Sequence, residues 1–372
     1  MRLLSKNERR IVDLVYRNQG IARVDLAQAI DLTGASVTRL VSGLLDEKVL
    51  TETVQKEGDR KRGQPKKQLA LQRERFCSAG FYILSESIEA VFINLTGEIL
   101  AQRSIPWSNL SAAALIEVIG GTTAEFLANT KPKDQKFLGI GLGLPGNFGT
   151  ARDQIKAHEV FPLLDGHAIQ EALSRETDWD IYLENDGTAV ALGEYLFGRH
   201  GVEYLFLLHI GYGLGGGAVL DGRPYRGAHG NACLPGALFP YDGHRPTLQD
   251  YEATLGLTGR RFRQQLAEGT LSAESEARAD AWIARASTQI EQAVRLISGL
   301  FDPQLIVLGG ALPTPIPERI ALALNGRAID GPSRGLTIPP VTASPLGDLN
   351  GPIGAASIPF FERFFPGSTA LA

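Results

Sequence analysis

Three short helical periods followed by two β-like runs around a basic loop fill the first 75 residues, and this order constrains the fold more than any other feature of the chain. Ile11, Leu14 and Val15 recur at helical spacing after Ser5, which can cap a helix opening on Asn7 and Glu8, so a helix is predicted over 5–18 with Gly20 as its stop. A second short helix fits 24–30, with Leu26, Ala27 and Ile30 on one face, and Thr33-Gly34 breaks the chain before a third. That third period, 35–47, turns Val37, Leu40, Val41, Leu44 and Leu45 inward and leaves Ser36, Thr38, Arg39 and Ser42 on its other face. The succession is that of a helix-turn-helix, in which the last helix enters the major groove of DNA with its first residues against base edges.

Residues 49–54 are rich in β-branched side chains and 68–71 alternate, so both read as strands. Between them lie Lys56, Arg60, Lys61, Arg62, Lys66 and Lys67, which makes the pair a basic wing. Within it Arg62-Gly63-Gln64-Pro65 resembles the Gly-Arg-Pro arms that lay an arginine in a narrow, electronegative minor groove. Charge divides the chain at the same place: 16 Lys and Arg stand against 10 Asp and Glu up to Arg75, and 21 against 31 beyond it. A basic module on an acidic body implies a polyanionic partner for the module alone. The expected contacts to double-stranded DNA are Ser36, Thr38, Arg39, Ser42, Arg60, Lys61, Arg62, Gln64, Lys66 and Lys67. Taken by itself, the charge run also reads as a solvated loop.

At 372 residues, 44% hydrophobic and 21% charged, the chain can build two or three cored domains. Its two cysteines, Cys77 and Cys233, are too far apart for a Cys-x-x-Cys element and read as free buried thiols. The longest apolar stretch, 204–220, is broken by His209 and five glycines, so no bilayer span is expected. No secretory signal is visible at the N-terminus, which places the expected protein in the cytoplasm.

Beyond residue 76 the pattern is α/β. Runs at 81–84, 90–93 and 99–101 predict an antiparallel meander, 111–129 a helix, and 138–144 an apolar strand that ends in Gly143-Leu144-Pro145-Gly146-Asn147. A strand over 181–183 leads into Glu184-Asn185-Asp186-Gly187 and a small-residue helix over 188–195. A carboxylate and an amide at the carboxyl end of a strand sit where α/β sheets bind ligands, and the same pair can simply cap the helix. The glycine run 211–217 after the strand 204–210 is compatible with a phosphate cradle and with a hairpin turn. A helix over 290–300 and a buried strand over 305–308, closed by Gly309-Gly310, complete the reading.

These elements together resemble the ROK family of sugar kinases and sugar-responsive repressors. The resemblance rests on the Arg-Gly-Gln-Pro arm, 184–189 with 193–198, the glycine run with 225–232, and Phe301-Asp302-Pro303 leading to Gly310. It covers nearly the whole chain and points to the branch with an N-terminal winged helix, similar to N-acetylglucosamine- and xylose-type repressors. It implies a winged helix-turn-helix over 1–75. It also implies an actin-like, ribonuclease H-type two-lobed body over 76–372, its last helix returning to the first lobe, a ligand in the cleft and assembly as a homodimer or tetramer.

The family's kinases open with Asp-x-Gly-Gly-Thr, and the matching segment here is Tyr82-Ile83-Leu84-Ser85-Glu86, so family-type ATP binding is expected to be lost. The family's Glu-x-Gly-His is replaced by Leu234-Pro235-Gly236-Ala237, and its zinc cysteines are absent before Tyr251, so no zinc is expected. The resemblance carries effector-binding roles to Asn147, Asn185, Asp186, Gly236 and Gln249. The expected function is a DNA-binding regulator, a repressor, modulated by a small carbohydrate-like effector. The alternatives are a regulator whose sugar site has decayed to an oligomerising scaffold, and an active sugar kinase with a DNA-binding appendage.

Overall fold

The computed structural model describes residues 2–18, 20–54, 67–72, 74–107, 111–131, 134–149, 155–165, 168–241, 243–257, 264–266, 268–327 and 335–367. Helices α1 (Lys6–Arg17), α2 (Arg23–Ile30) and α3 (Gly34–Asp46) precede an antiparallel pair, β1 (Leu50–Val54) and β2 (Lys67–Leu71). Ser5 starts α1 through a capping box: its hydroxyl accepts from the Glu8 N–H at 3.4 Å, while the Glu8 carboxylate accepts from the Ser5 N–H at 2.8 Å. Thr33 caps α3 through its hydroxyl alone, accepting from the Ser36 N–H at 3.3 Å. Ile11, Val15, Leu26, Ile30, Val37, Val41 and Leu44 close a small core between the three helices.

The body repeats one topology twice. β3 (Phe76–Ile83), β4 (Ser87–Asn94) and β5 (Ile99–Pro106) form an antiparallel meander. α4 (Ala112–Asn129) follows it, and β6 (Lys136–Leu144) lies parallel to β3. A small hairpin, β7 (Gly146–Phe148) with β8 (Ile155–Ala157), and α5 (Ile169–Glu176) lead to β9 (Ile181–Asn185), parallel to β6. α6 (Asp186–Phe197) then crosses to the second sheet. There β10 (Tyr204–Ile210), β11 (Leu214–Leu220) and β12 (Arg223–Pro224) form a second meander. α7 (Leu248–Leu255) and α8 (Ala273–Phe301) come next, and β13 (Leu305–Gly310) lies parallel to β10. α9 (Ile316–Asn325), β14 (Val341–Ala343) beside β13, and α10 (Asn350–Phe364) end the fold. The sheet orders, β5-β4-β3-β6-β9 and β12-β11-β10-β13-β14, match strand for strand, which is the duplicated actin-like arrangement.

Two helices hold the lobes together. α6 packs on β10 and β11, α10 packs on β3 and β6, and the two helices pack on each other. They approach closely because small residues face each other: a Cβ added to Gly193 would lie 2.6 Å from Gly354 Cα. α10 carries the apolar side chains of Phe360, Phe361 and Phe364, which are buried with Phe76 in the same continuous core as the three N-terminal helices.

The glycine run proves to be a hairpin. β11 begins at Leu214, so Gly215, Gly216 and Gly217 are strand residues paired with His209, Leu208 and Leu207. Gly217 has no room for a side chain because the start of α6 lies against it, a Cβ there meeting the Gly187 carbonyl oxygen at 2.4 Å, and a Cβ on Gly216 would meet the Leu207 carbonyl oxygen of β10 at 2.8 Å. The helix expected over 290–300 is the last part of the 29-residue α8. Among the described residues no helix is long and apolar enough to cross a membrane.

Candidate functional site

Two places on the molecule collect the residues singled out above. The first is α3. Val37, Val41 and Leu44 face inward, Thr38 and Arg39 are exposed, and Ser36 and Ser42 are half-buried beside them. The helix therefore presents three short hydroxyl-bearing side chains and a long guanidinium along one solvent-facing strip. Lys67, at the start of β2, bonds Glu52 at 3.2 Å, and Glu52 also holds the Arg23 Nε at 2.8 Å, so part of the Lys67 charge is neutralised within the module. Arg60, Lys61, Arg62, Gln64 and Lys66 lie outside the described residues.

The second is a cavity of about 490 Å³ between the two sheets. Its floor is the junction of β9 with α6. Asn185 is the N-cap of α6: its Oδ1 accepts from the Thr188 N–H at 3.3 Å and its Nδ2 donates to the Gly146 carbonyl at 2.7 Å. Asp186 accepts the Gly187 N–H at 2.8 Å through Oδ1, and its Oδ2 lies 3.9 Å from His209 Nε2. His209, on β10, is bonded in turn to the Tyr82 hydroxyl of β3 at 2.7 Å. The capping role and the cavity position thus belong to the same two side chains, Asn185 and Asp186.

The walls come from both lobes. From the first, Asn147 stands exposed on β7, and His158 follows β8. Burial holds the His158 imidazole below its ordinary value, and its Nδ1 accepts from the Val160 N–H at 3.3 Å, which leaves Nε2 as a donor toward the cavity. From the second lobe, the Gly236 carbonyl accepts from Arg245 Nη2 at 3.0 Å, and the Arg245 guanidinium lies 4.3 Å over the Tyr241 ring. Arg245 therefore occupies the neighbourhood of the segment 234–237, where the expected Glu and His are missing. Gln249 is exposed on the first turn of α7 and does not line the cavity, so its expected place in the effector site is corrected.

Besides the Tyr82–His209 bond, three contacts among the described residues bridge the lobes around this cavity. Asn231 brackets the Phe148 backbone, accepting its N–H at 2.7 Å and donating to its carbonyl at 3.0 Å. The Ser85 and Tyr212 hydroxyls meet across the opening. Arg226 donates to Glu184 at 2.6 Å and to Glu362 of α10 at 3.4 Å, all three side chains being largely buried.

Neither group associated with the family's kinases fits. The β3–β4 turn is Leu84-Ser85-Glu86, with Leu84 buried and no glycine amides to cradle a phosphate, and the Tyr82 ring fills the space beside Gly351. Zinc would need a cluster of thiolates or imidazoles. Cys233 is buried against the Tyr225 carbonyl, and among the described residues no group of three or more His, Cys, Asp or Glu is placed to hold a metal.

Residues 83–239 match the ROK family. The chain is 45% identical over 370 residues to the uncharacterized protein y4fQ of Sinorhizobium fredii, covering 99% of this chain and 94% of that one. It is 24% identical over 237 residues to a xylose repressor of Caldicellulosiruptor bescii, covering 61% of this chain and 56% of that protein, so that match spans little more than half the relative's length. Among solved structures, a ROK family transcriptional regulator described as a homologue of the Escherichia coli Mlc protein superposes with a TM-score of 0.70 at 20% identity, over 95% of both chains.

Proposed function

Because the chain belongs to the ROK family, we propose that it is a cytoplasmic, DNA-binding transcriptional regulator, a repressor, gated by a small carbohydrate-like effector and without kinase activity. Residues 1–75 form the DNA-binding unit and 76–372 the effector and oligomerisation unit. Ser36, Thr38, Arg39 and Ser42 read base edges, while Lys67 and the wing residues Arg60, Lys61, Arg62, Gln64 and Lys66 bind phosphates and the minor groove. In a homodimer or tetramer the paired α3 helices engage half-sites about 34–36 Å apart, so a change in lobe angle alters the match to DNA.

The observation that carries this reading is the solvent-facing strip of α3, where Thr38 and Arg39 stand clear of a module otherwise closed by its own core. The cleft supports effector binding through Asn147, Asn185, Asp186 and the Gly236 backbone, with His158 and Arg245 as donors in place of the missing Glu and His. Phosphoryl transfer needs positioned phosphate and metal contacts as well as a base, and Asp186 alone supplies only the base.

A second reading, a decayed sugar site in a purely oligomerising body, draws on the commitment of the Asn185 amide to Gly146 and Thr188, which leaves it one N–H and one lone pair for a ligand. Two assays separate the readings. Enrichment of a duplex from a random-sequence library supports the regulator, and a carbohydrate that raises the melting temperature supports the effector site. Sugar-dependent ATP turnover that disappears in Asp186→Asn overturns the assignment in favour of a kinase.

A further inference from the structure

We propose that α1 is the lever that carries lobe movement to the DNA-reading helix, with Arg9 as its anchor on the first lobe and Arg17 as its anchor on the second. The inference rests on the regulator reading above.

Arg9 is fully buried, and its guanidinium reaches out of the N-terminal module to the end of α10: Nη1 donates to the Glu362 carbonyl at 2.9 Å and to the Phe365 carbonyl at 3.3 Å. The last carbonyls of a helix have no partner within it and carry its negative end, so a cation from another element caps them. Tyr16, two turns along the same helix, sets its ring edge-on to Phe365 at 5.3 Å. α10 packs on the first sheet, so this end of the contact moves with the first lobe.

Arg17 points to the second lobe. Its Nη1 bonds Glu203, just before β10, at 3.2 Å, its guanidinium lies over the Tyr195 ring at 5.4 Å, and it packs against Gly222 in the β11–β12 turn. The two arginines are eight residues apart on one rigid helix, about 12 Å along its axis. Rotation of one lobe against the other must therefore tilt α1 or break one of its anchors. The Arg9 anchor is buried and the Glu203 side chain is 60% exposed, so the second anchor is the one that yields. α1 packs against both α2 and α3, so the reader helix follows it.

The lobes themselves are tied at the cleft by Arg226, which joins Glu184 to Glu362, the same residue whose carbonyl Arg9 caps. The Asn185 N–H bonds Glu184 Oε1 at 3.1 Å, so the cavity floor, the tie and the anchor are contiguous.

Coupling between two sites is reciprocal, so DNA must act on the lobes as the lobes act on DNA. The test is amide hydrogen exchange on the full chain, free and saturated with a duplex enriched by the protein from a random-sequence library. The reporter is the Phe148 N–H, whose acceptor, Asn231, is on the other lobe. In the wild type, duplex changes its exchange rate by about threefold or more. In Glu203→Lys, which repels Arg17 without touching a buried group, that change disappears although the duplex is bound at saturation. Arg9→Met gives the same loss if it folds. Wild-type exchange that ignores the duplex, or a response retained in Glu203→Lys, overturns the proposal while leaving the regulator reading intact. A library that yields no preferred duplex removes that reading, and the lever with it.

Discussion

Tyr82 Oη lies 2.7 Å from His209 Nε2, a hydrogen bond that joins the first sheet to the second on the floor of the cleft. Both side chains are buried, and the rings meet edge-on with centroids 6.2 Å apart. Tyr82 stands where the resemblance to family kinases places a carboxylate, so a residue position associated with phosphate chemistry has become a structural bridge between lobes.

Removing that bridge has a defined cost. Tyr82→Phe leaves a buried imidazole nitrogen without this partner, which should lower the unfolding free energy by about 1–3 kcal/mol in a urea melt. An unchanged midpoint and slope would show that the bond contributes nothing to the closed arrangement.

Arg39 is the long donor on the exposed strip of α3. Arg39→Ala should weaken binding to the preferred duplex by about 1–3 kcal/mol while affinity for scrambled DNA changes little. Equal losses on both duplexes would reassign Arg39 to phosphate contact.

Asn185 caps α6 and ties it to Gly146, so Asn185→Ala should destabilise the protein by about 1–2 kcal/mol whether or not a ligand binds. Asp186→Asn keeps the shape and should abolish any ligand-induced rise in melting temperature with little change in the unliganded value. A rise of undiminished size would take Asp186 out of the effector site.

The hydrogen bond from Arg2 holds the Glu8 carboxyl down to about 2, against an ordinary 4.5. A carboxyl lowered in the folded state contributes stability that is full at neutral pH and lost as pH falls from about 4.5 toward 2. Glu8→Gln, which also breaks the capping box of α1, should therefore cost about 1 kcal/mol at pH 7, and the difference from wild type should shrink by pH 3. A difference independent of pH would show that Glu8 acts through packing alone.

The N-terminal module was legible in the sequence because each helix there has both a period and a stop: Ser5 and Thr33 are caps by residue type, and the inward faces are apolar at helical spacing. The first meander was legible for the same reason. What escaped were features whose cause is tertiary. Gly216 and Gly217 defy β-propensity as strand residues because β10 crowds the first and α6 the second where a side chain would stand. The first half of α8 hides Trp282, Ile283 and Ala286 among Arg and Glu, which dilutes its apolar period.

In the cleft, Asn185 and Asp186 could be found from a strand end followed by a helix start. His158 could not, because it follows strands of only three residues, and Arg245 could not, because only the folded loop brings it to Gly236. His209 had one visible signal, as the lone polar side chain in an apolar run. Gln249 rests on the resemblance alone, and a matching position in sequence does not tell which way the first turn of α7 faces.

If DNA binding by the N-terminal module is gated from the cleft, fluorescence anisotropy of the full chain on its preferred duplex, across a salt series and with a panel of mono-, di- and amino sugars, reads the gating itself. The expected result is sequence-preferring binding whose log affinity falls linearly with log salt and which one class of sugar relieves. Sequence-preferring binding that every sugar leaves unchanged would overturn the gating, and equal affinity for preferred and scrambled duplexes at every salt concentration would overturn the DNA reading as well.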